Sequence, residues 1–218
     1  MNMKGSLRRS PAAMLLAVVL PLAGCGGGSD SSEPIQTAEA ASLPALGTAT
    51  ALDDNHAVGN PYWPNGATAT GGQGQPIAGL TCGAVPEGYH VHTHLSILLN
   101  GQALAIPSNV GILAATQARA ACDYPVHTHD LSGKIHLHAT APAAFSLGQF
   151  FAIWGQTLSP TNVAGITSLP VAVYLTDNGT VTRYEGDLAA IPLISHREIT
   201  IQIGSAIGQV PNYTWGGP

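Results

Sequence analysis

Two stretches of the chain, "HLSILLNGQALAIP" at 94–107 and "VAVYLTDNGTVTRYEG" at 171–186, place Asn-Gly between segments in which apolar and polar residues alternate. Asn-Gly accepts positive φ at both positions, the turn whose twist matches two antiparallel strands, so each stretch is expected to close as a hairpin. The period of two also sends one side of every strand inward and leaves the other side for polar groups. "VHTHDLSGKIHLH" at 126–138 has the same form around Ser132-Gly133, and "REITIQIG" at 197–204 supplies a further strand with Ile199, Ile201 and Ile203 on one face.

One segment breaks this period. In "FSLGQFFAIWGQ" at 145–156, Leu147, Phe150, Phe151 and Trp154 recur at helical spacing behind Ser146, a good N-cap, which predicts one short helix. The expected fold class is therefore mainly β (α+β): antiparallel hairpins forming a sheet with one short helix, β-grasp-like or sandwich-like.

Histidine is the unusual component. Seven of the nine histidines fall between 90 and 138. His90, His92 and His94 alternate with Val91 and Thr93, so a strand here points all three imidazoles to one side. If Ser132-Gly133 is a two-residue turn, His129 faces His136 and His127 faces His138, again on one side. Opposed residues have Cβ atoms about 4.5–5.5 Å apart, and metal-bound nitrogens sit about 2.0–2.1 Å from their ion. Cross-strand imidazoles can thus converge on one metal, and crowding them without a metal costs desolvation. The expected ligands are His90, His92, His94, His127, His129, His136 and His138. Glu87, Asp130 and His196 are auxiliary candidates, with Asp130 at least as well suited to a turn or to accepting an imidazole N–H, and His196, just before the last strand, sharing the parity of its polar face. His56 stands apart.

The N-terminus sets the compartment. Lys4, Arg8 and Arg9 precede an apolar run from Ala12 to Ala23 that is too short to span a bilayer, so residues 1–24 are expected to be an export signal. Residues 25–74, rich in Gly, Ser, Ala, Thr and Pro, read as a flexible tether, with His56, Tyr62 and Trp63 as a candidate arm; 75–218 read as the His-rich metal-binding domain. After removal of the signal, Arg119, Lys134, Arg183 and Arg197 stand against twelve acids, a formal charge of −8. Such a surface does not attract nucleic acid.

All three methionines, Met1, Met3 and Met14, lie in the signal. Outside the cytoplasm Cys82 and Cys122 are expected to pair as a disulfide, which would bring together the segments leading into the two histidine clusters. Without sulfur, the expected cofactor is a copper or zinc ion held by imidazole, with the Irving–Williams order favouring copper.

Leu22-Ala23-Gly24-Cys25 resembles the lipobox of bacterial lipoproteins. That resemblance implies a lipid such as palmitate on Cys25 and attachment to the bilayer, with Gly26 favouring the outer membrane over the inner. "GYHVHTHLSI" is similar to the His-x-His strand of copper-zinc superoxide dismutases, without the zinc-ligand loop, and the paired His-x-His units resemble multicopper oxidases, without a type 1 copper cysteine. "HTHDLSGKIH" through "LGQFFAIWG" resembles secreted His-rich proteins of unassigned function.

Two classes of function follow. One is a lipid-anchored protein of the cell envelope that sequesters or delivers Cu(II) or Zn(II). The other is a metalloenzyme, a copper oxidase, a dismutase or a metal-dependent hydrolase, with three histidines on the ion and an open position for water or oxygen. An adhesive domain, the third possibility, predicts no metal.

Overall fold

The computed structural model describes residues 42–66 and 71–216. The expected signal, Cys25 and the tether up to residue 41 lie outside the described residues. The main sheet has eight strands, β1 (Asn60–Pro61), β2 (Tyr89–Leu99), β3 (Gln102–Ala105), β4 (Val126–His127), β5 (Lys134–Ala139), β6 (Val171–Asp177), β7 (Thr180–Tyr184) and β8 (Glu198–Ile203). Their order is β7-β6-β8-β2-β3-β1, with β5 also paired to β2 and β4 paired to β5. The fold is mainly β, as expected.

Both Asn-Gly hairpins form with two-residue turns. Asn100 and Gly101 have φ of 49° and 81°, Asn178 and Gly179 have 49° and 77°, and the registers close at Leu99↔Gln102 and Asp177↔Thr180. The helix α1 spans Leu147–Trp154. Ser146 and Gln149 form a capping box at its start, and Gly155, in the left-handed region, ends it.

Strand β2 organises the molecule because it is long. One edge carries β8 in parallel over His94 to Leu99; the other carries β3 near its end and β5 over Tyr89 to His94. The parallel β2–β8 pair has no local signature, since its partners are joined by the whole intervening chain.

Odd-numbered residues of β2, β5 and β8, Leu95, Ile97, Ile135, Leu137, Ile199 and Ile201 among them, are buried with Leu147, Phe150, Phe151 and Trp154 of α1 in one core. Each such side chain contributes about 1.5–3 kcal/mol of burial. Even-numbered residues form the opposite face, where His92, His94, Ser96, Lys134, His138, Glu198, Thr200 and Gln202 are also buried.

That polar face is roofed by the two ends of the domain. Thr50–Leu52 pairs in parallel with Tyr213–Trp215, and Ala45–Leu46 with Gln209–Val210. Tyr213 donates its backbone N–H to Glu198, its ring lies 4.2 Å from that of His94, and Lys134 Nζ meets Asp54 Oδ1 at 2.6 Å.

Residues 42–66 therefore belong to the domain, a correction to the expected boundary at residue 75. Leu52 is buried, β1 pairs with β3, and the Trp63 indole donates to the Ala164 carbonyl while packing 5.0 Å from Trp154. Segments of two or three residues bound through backbone hydrogen bonds are too short to show a period, and their Gly- and Pro-rich surroundings read as a linker. Cys82 and Cys122 form the expected disulfide, next to a pair of backbone bonds between Gly83 and Asp123.

Candidate metal centre

The polar face of β2, β5 and β4 carries a grid of imidazoles, at even positions in β2 and β5 and at His127 in β4. His92 opposes His136, which opposes His127, so three strands contribute one row; His90 opposes His138 in the next row. Alternation places each histidine on this face, and pairing brings the strands together.

Three nitrogens close into a triangle. His90 Nε2 to His92 Nε2 is 3.0 Å, His92 Nε2 to His136 Nδ1 is 2.9 Å, and His90 Nε2 to His136 Nδ1 is 3.2 Å. Protons cannot satisfy such a triangle. With one N–H among the three, the other two lone pairs still face each other, and with two the N–H groups collide. A cation about 2.0–2.1 Å from each nitrogen would satisfy all three.

Two further groups adjoin it. His127, His136 and His138 offer ligand atoms within 4.8 Å of one another, as do Glu87, His90 and His138. His129 Nε2 lies 3.3 Å from His127 Nε2. His127 Nδ1 is 2.7 Å from the Tyr124 carbonyl, so it donates its N–H there and leaves Nε2 bare for an ion, the orientation that metal-ligating imidazoles need. No sequence signal marks that carbonyl.

Burial lowers four of these imidazoles. It lowers His92 to about 4, helped by neighbouring His90 and Lys134, and lowers His127 to about 4 against the Tyr124 hydrogen bond. His136 is pushed far below the usual imidazole range by burial and then by His92 and His129; His138 is lowered by burial and by His90. Neutral imidazoles present lone pairs, as ligation requires.

The loop after His127 differs from the expected two-residue turn. Strand register puts His127 opposite His136, leaving His129 in the loop at 128–133. Asp130 explains the extra length: its carboxylate accepts from the backbone N–H of Ser132 at 2.9 Å and of Asn55 at 2.6 Å. Burial alone would raise Asp130, but the Ser132 side chain, these two backbone hydrogen bonds and Lys134 carry it below the usual carboxylate range. It is a turn residue here. Gly133, at φ +82°, ends the loop where a Cβ would lie 2.6 Å from the Leu95 carbonyl oxygen. The register has moved by two positions, an even number, so His127, His136 and His138 keep their shared face.

The remaining candidates fall outside the three groups. His94 is fully buried, lowered to about 4 by that burial, and 2.8 Å from the Ser132 carbonyl, to which its Nε2–H donates; its cross-strand neighbours are Lys134 and Glu198. His196 is exposed and lies against Trp215 at 4.8 Å, and His56 is exposed.

Metal-free protein is expected to lose stability as pH falls from about 6.5 to about 4. In that window the unfolded chain takes up protons at His92, His94 and His127 that the folded chain excludes, so stability rises with pH. Glu198, raised by burial to about 7, works in the opposite sense between 4.5 and 7, one group against three. Urea midpoints at pH 7.5, 6 and 4.5 check this; a midpoint that stays constant or rises in acid contradicts it.

The chain matches no protein-family model, no curated protein and no solved structure, so its function is read from this geometry.

Proposed function

We propose that this chain is an extracytoplasmic lipoprotein that holds Cu(II) or Zn(II) through its clustered histidines, for sequestration or delivery. The triangle of His90 Nε2, His92 Nε2 and His136 Nδ1, with separations of 2.9–3.2 Å, carries the reading, because only a cation reconciles three converging imidazole nitrogens. His92 and His136, which burial keeps neutral, are ready to bind without first losing a proton. All-nitrogen donors without thioether or thiolate suit borderline divalent ions. The disulfide and the Leu22-Ala23-Gly24-Cys25 motif support a position in the cell envelope, anchored through lipid on Cys25 in the outer membrane.

Metal analysis of the protein purified from its own host, with electron paramagnetic resonance of the Cu(II)-loaded protein, tests the proposal. The expected result is about one or two ions per chain and nitrogen hyperfine coupling in the copper spectrum. A chain that takes up neither metal overturns it. Three nitrogens leave a position on the ion for water, which favours a metalloenzyme as the second reading; turnover in superoxide, phenol-oxidase or ester-hydrolysis assays would promote it over storage.

A further inference from the structure

Building on the metal-holding reading, we infer that Glu87, His90 and His138 form the surface site where a divalent ion first lands, and from which it passes to the inner nitrogens. Their ligand atoms lie within 4.8 Å of one another. Glu87 and His90 are exposed, the Glu87 side chain at 74%, whereas His138 is buried. The Nδ1 of His138 lies 3.8 Å from Glu87 Oε2, beside the Pro86 carbonyl, and makes no hydrogen bond of good geometry among the described residues. An imidazole nitrogen that faces an exposed carboxylate from beyond hydrogen-bond distance is a half-made site, and an ion between them completes it. The same imidazole lines a cavity of about 320 Å³ with Val85, Pro86, Pro125 and Phe145.

The groups overlap in a way that makes a path. His90 belongs both to this outer group and to the triangle with His92 and His136; His138 belongs both to the outer group and to the group with His127 and His136. An ion leaving Glu87 for either inner group therefore moves between neighbouring groups that share a histidine, a short transfer along one face of the sheet. The donors also grade inward. Glu87 is the one carboxylate among the three groups, and its charge attracts a hydrated dication, whereas the inner groups are all nitrogen and hold copper or zinc more strongly.

The test compares the full chain with Glu87→Gln, using Cu(II) alone and stopped-flow tryptophan quenching. Glu87 is exposed, so glutamine leaves the fold intact. Glu185→Gln, equally exposed and paired with Arg183, controls for loss of one negative charge elsewhere. If Glu87 serves entry without belonging to the final site, its loss slows association and dissociation together, each by about tenfold, and Kd and stoichiometry stay unchanged, while Glu185→Gln loads at the native rate. A native rate in Glu87→Gln overturns the inference. So does faster dissociation at an unchanged association rate, which would make Glu87 a resident ligand, and so does equal slowing in Glu185→Gln. Failure of the native chain to bind Cu(II) at all is a separate outcome that removes the metal-holding reading itself.

Discussion

His136→Ala is expected to weaken Cu(II) or Zn(II) binding by about 10²–10³-fold. Structural zinc sites bind with about 10–16 kcal/mol over four ligands, so one ligand accounts for roughly 2.5–4 kcal/mol. His136 is the side chain common to both inner groups, and its loss removes a donor from each. It also sits at the centre of the row His92–His136–His127, where no neighbour can take its place without a change of register. The ring is half-buried, so alanine leaves a gap that water can fill, and the fold is expected to persist with an unchanged far-UV spectrum. Competition titration against a chelator of known affinity measures the effect. His196→Ala, outside all three groups, is the matched control. Equal affinity in His136→Ala and the native chain would remove His136 from the site.

Opening the Cys82–Cys122 disulfide is expected to cost about 4 kcal/mol of stability. The bridge closes a loop with a sequence separation of 40, and the chain-entropy relation for a loop of that length gives this figure. The cost falls on the segments that matter to the site. Cys82 precedes Glu87 and β2, Cys122 precedes β4, and the Gly83–Asp123 backbone bonds beside the bridge lose their tether when it opens. Urea unfolding of the Cys82→Ala/Cys122→Ala double variant against the native chain, both metal-free, checks the prediction. A difference below about 1 kcal/mol would show that the unfolded chain is already restrained without the bridge. Saturating metal should raise the stability of the variant by the difference between its affinities for the folded and the unfolded chain.

Local features were legible in the sequence where the physics is local. The turns at Asn100-Gly101 and Asn178-Gly179 and the Ser146-capped helix each depend on backbone conformations set by a few adjacent residues, and each forms where expected. The loop after His127 was not legible in its length, because Asp130 chooses its conformation partly through the N–H of Asn55, 75 residues away. His94 shows the same limit. It shares parity with His90 and His92, yet the β2–β5 pairing sets it opposite Lys134, and the buried carbonyl of Ser132 takes its N–H. Glu198 carried no mark in the sequence beyond its parity with His196 and Thr200; parallel pairing with β2 and the cover of Tyr213 bury it.

Alternation alone determined that His90, His92, His127, His136 and His138 would each stand on one face of its own strand, because the pleat of a single strand fixes the direction of every second side chain. Tertiary structure alone decided that β4, β5 and β2 lie side by side, so that the nitrogens of His90, His92 and His136 meet within 3.2 Å. Adjacency of strands is a long-range choice, made by the burial of Leu95, Ile135 and Leu137 beneath the helix on the other side of the sheet. No period within one strand records it.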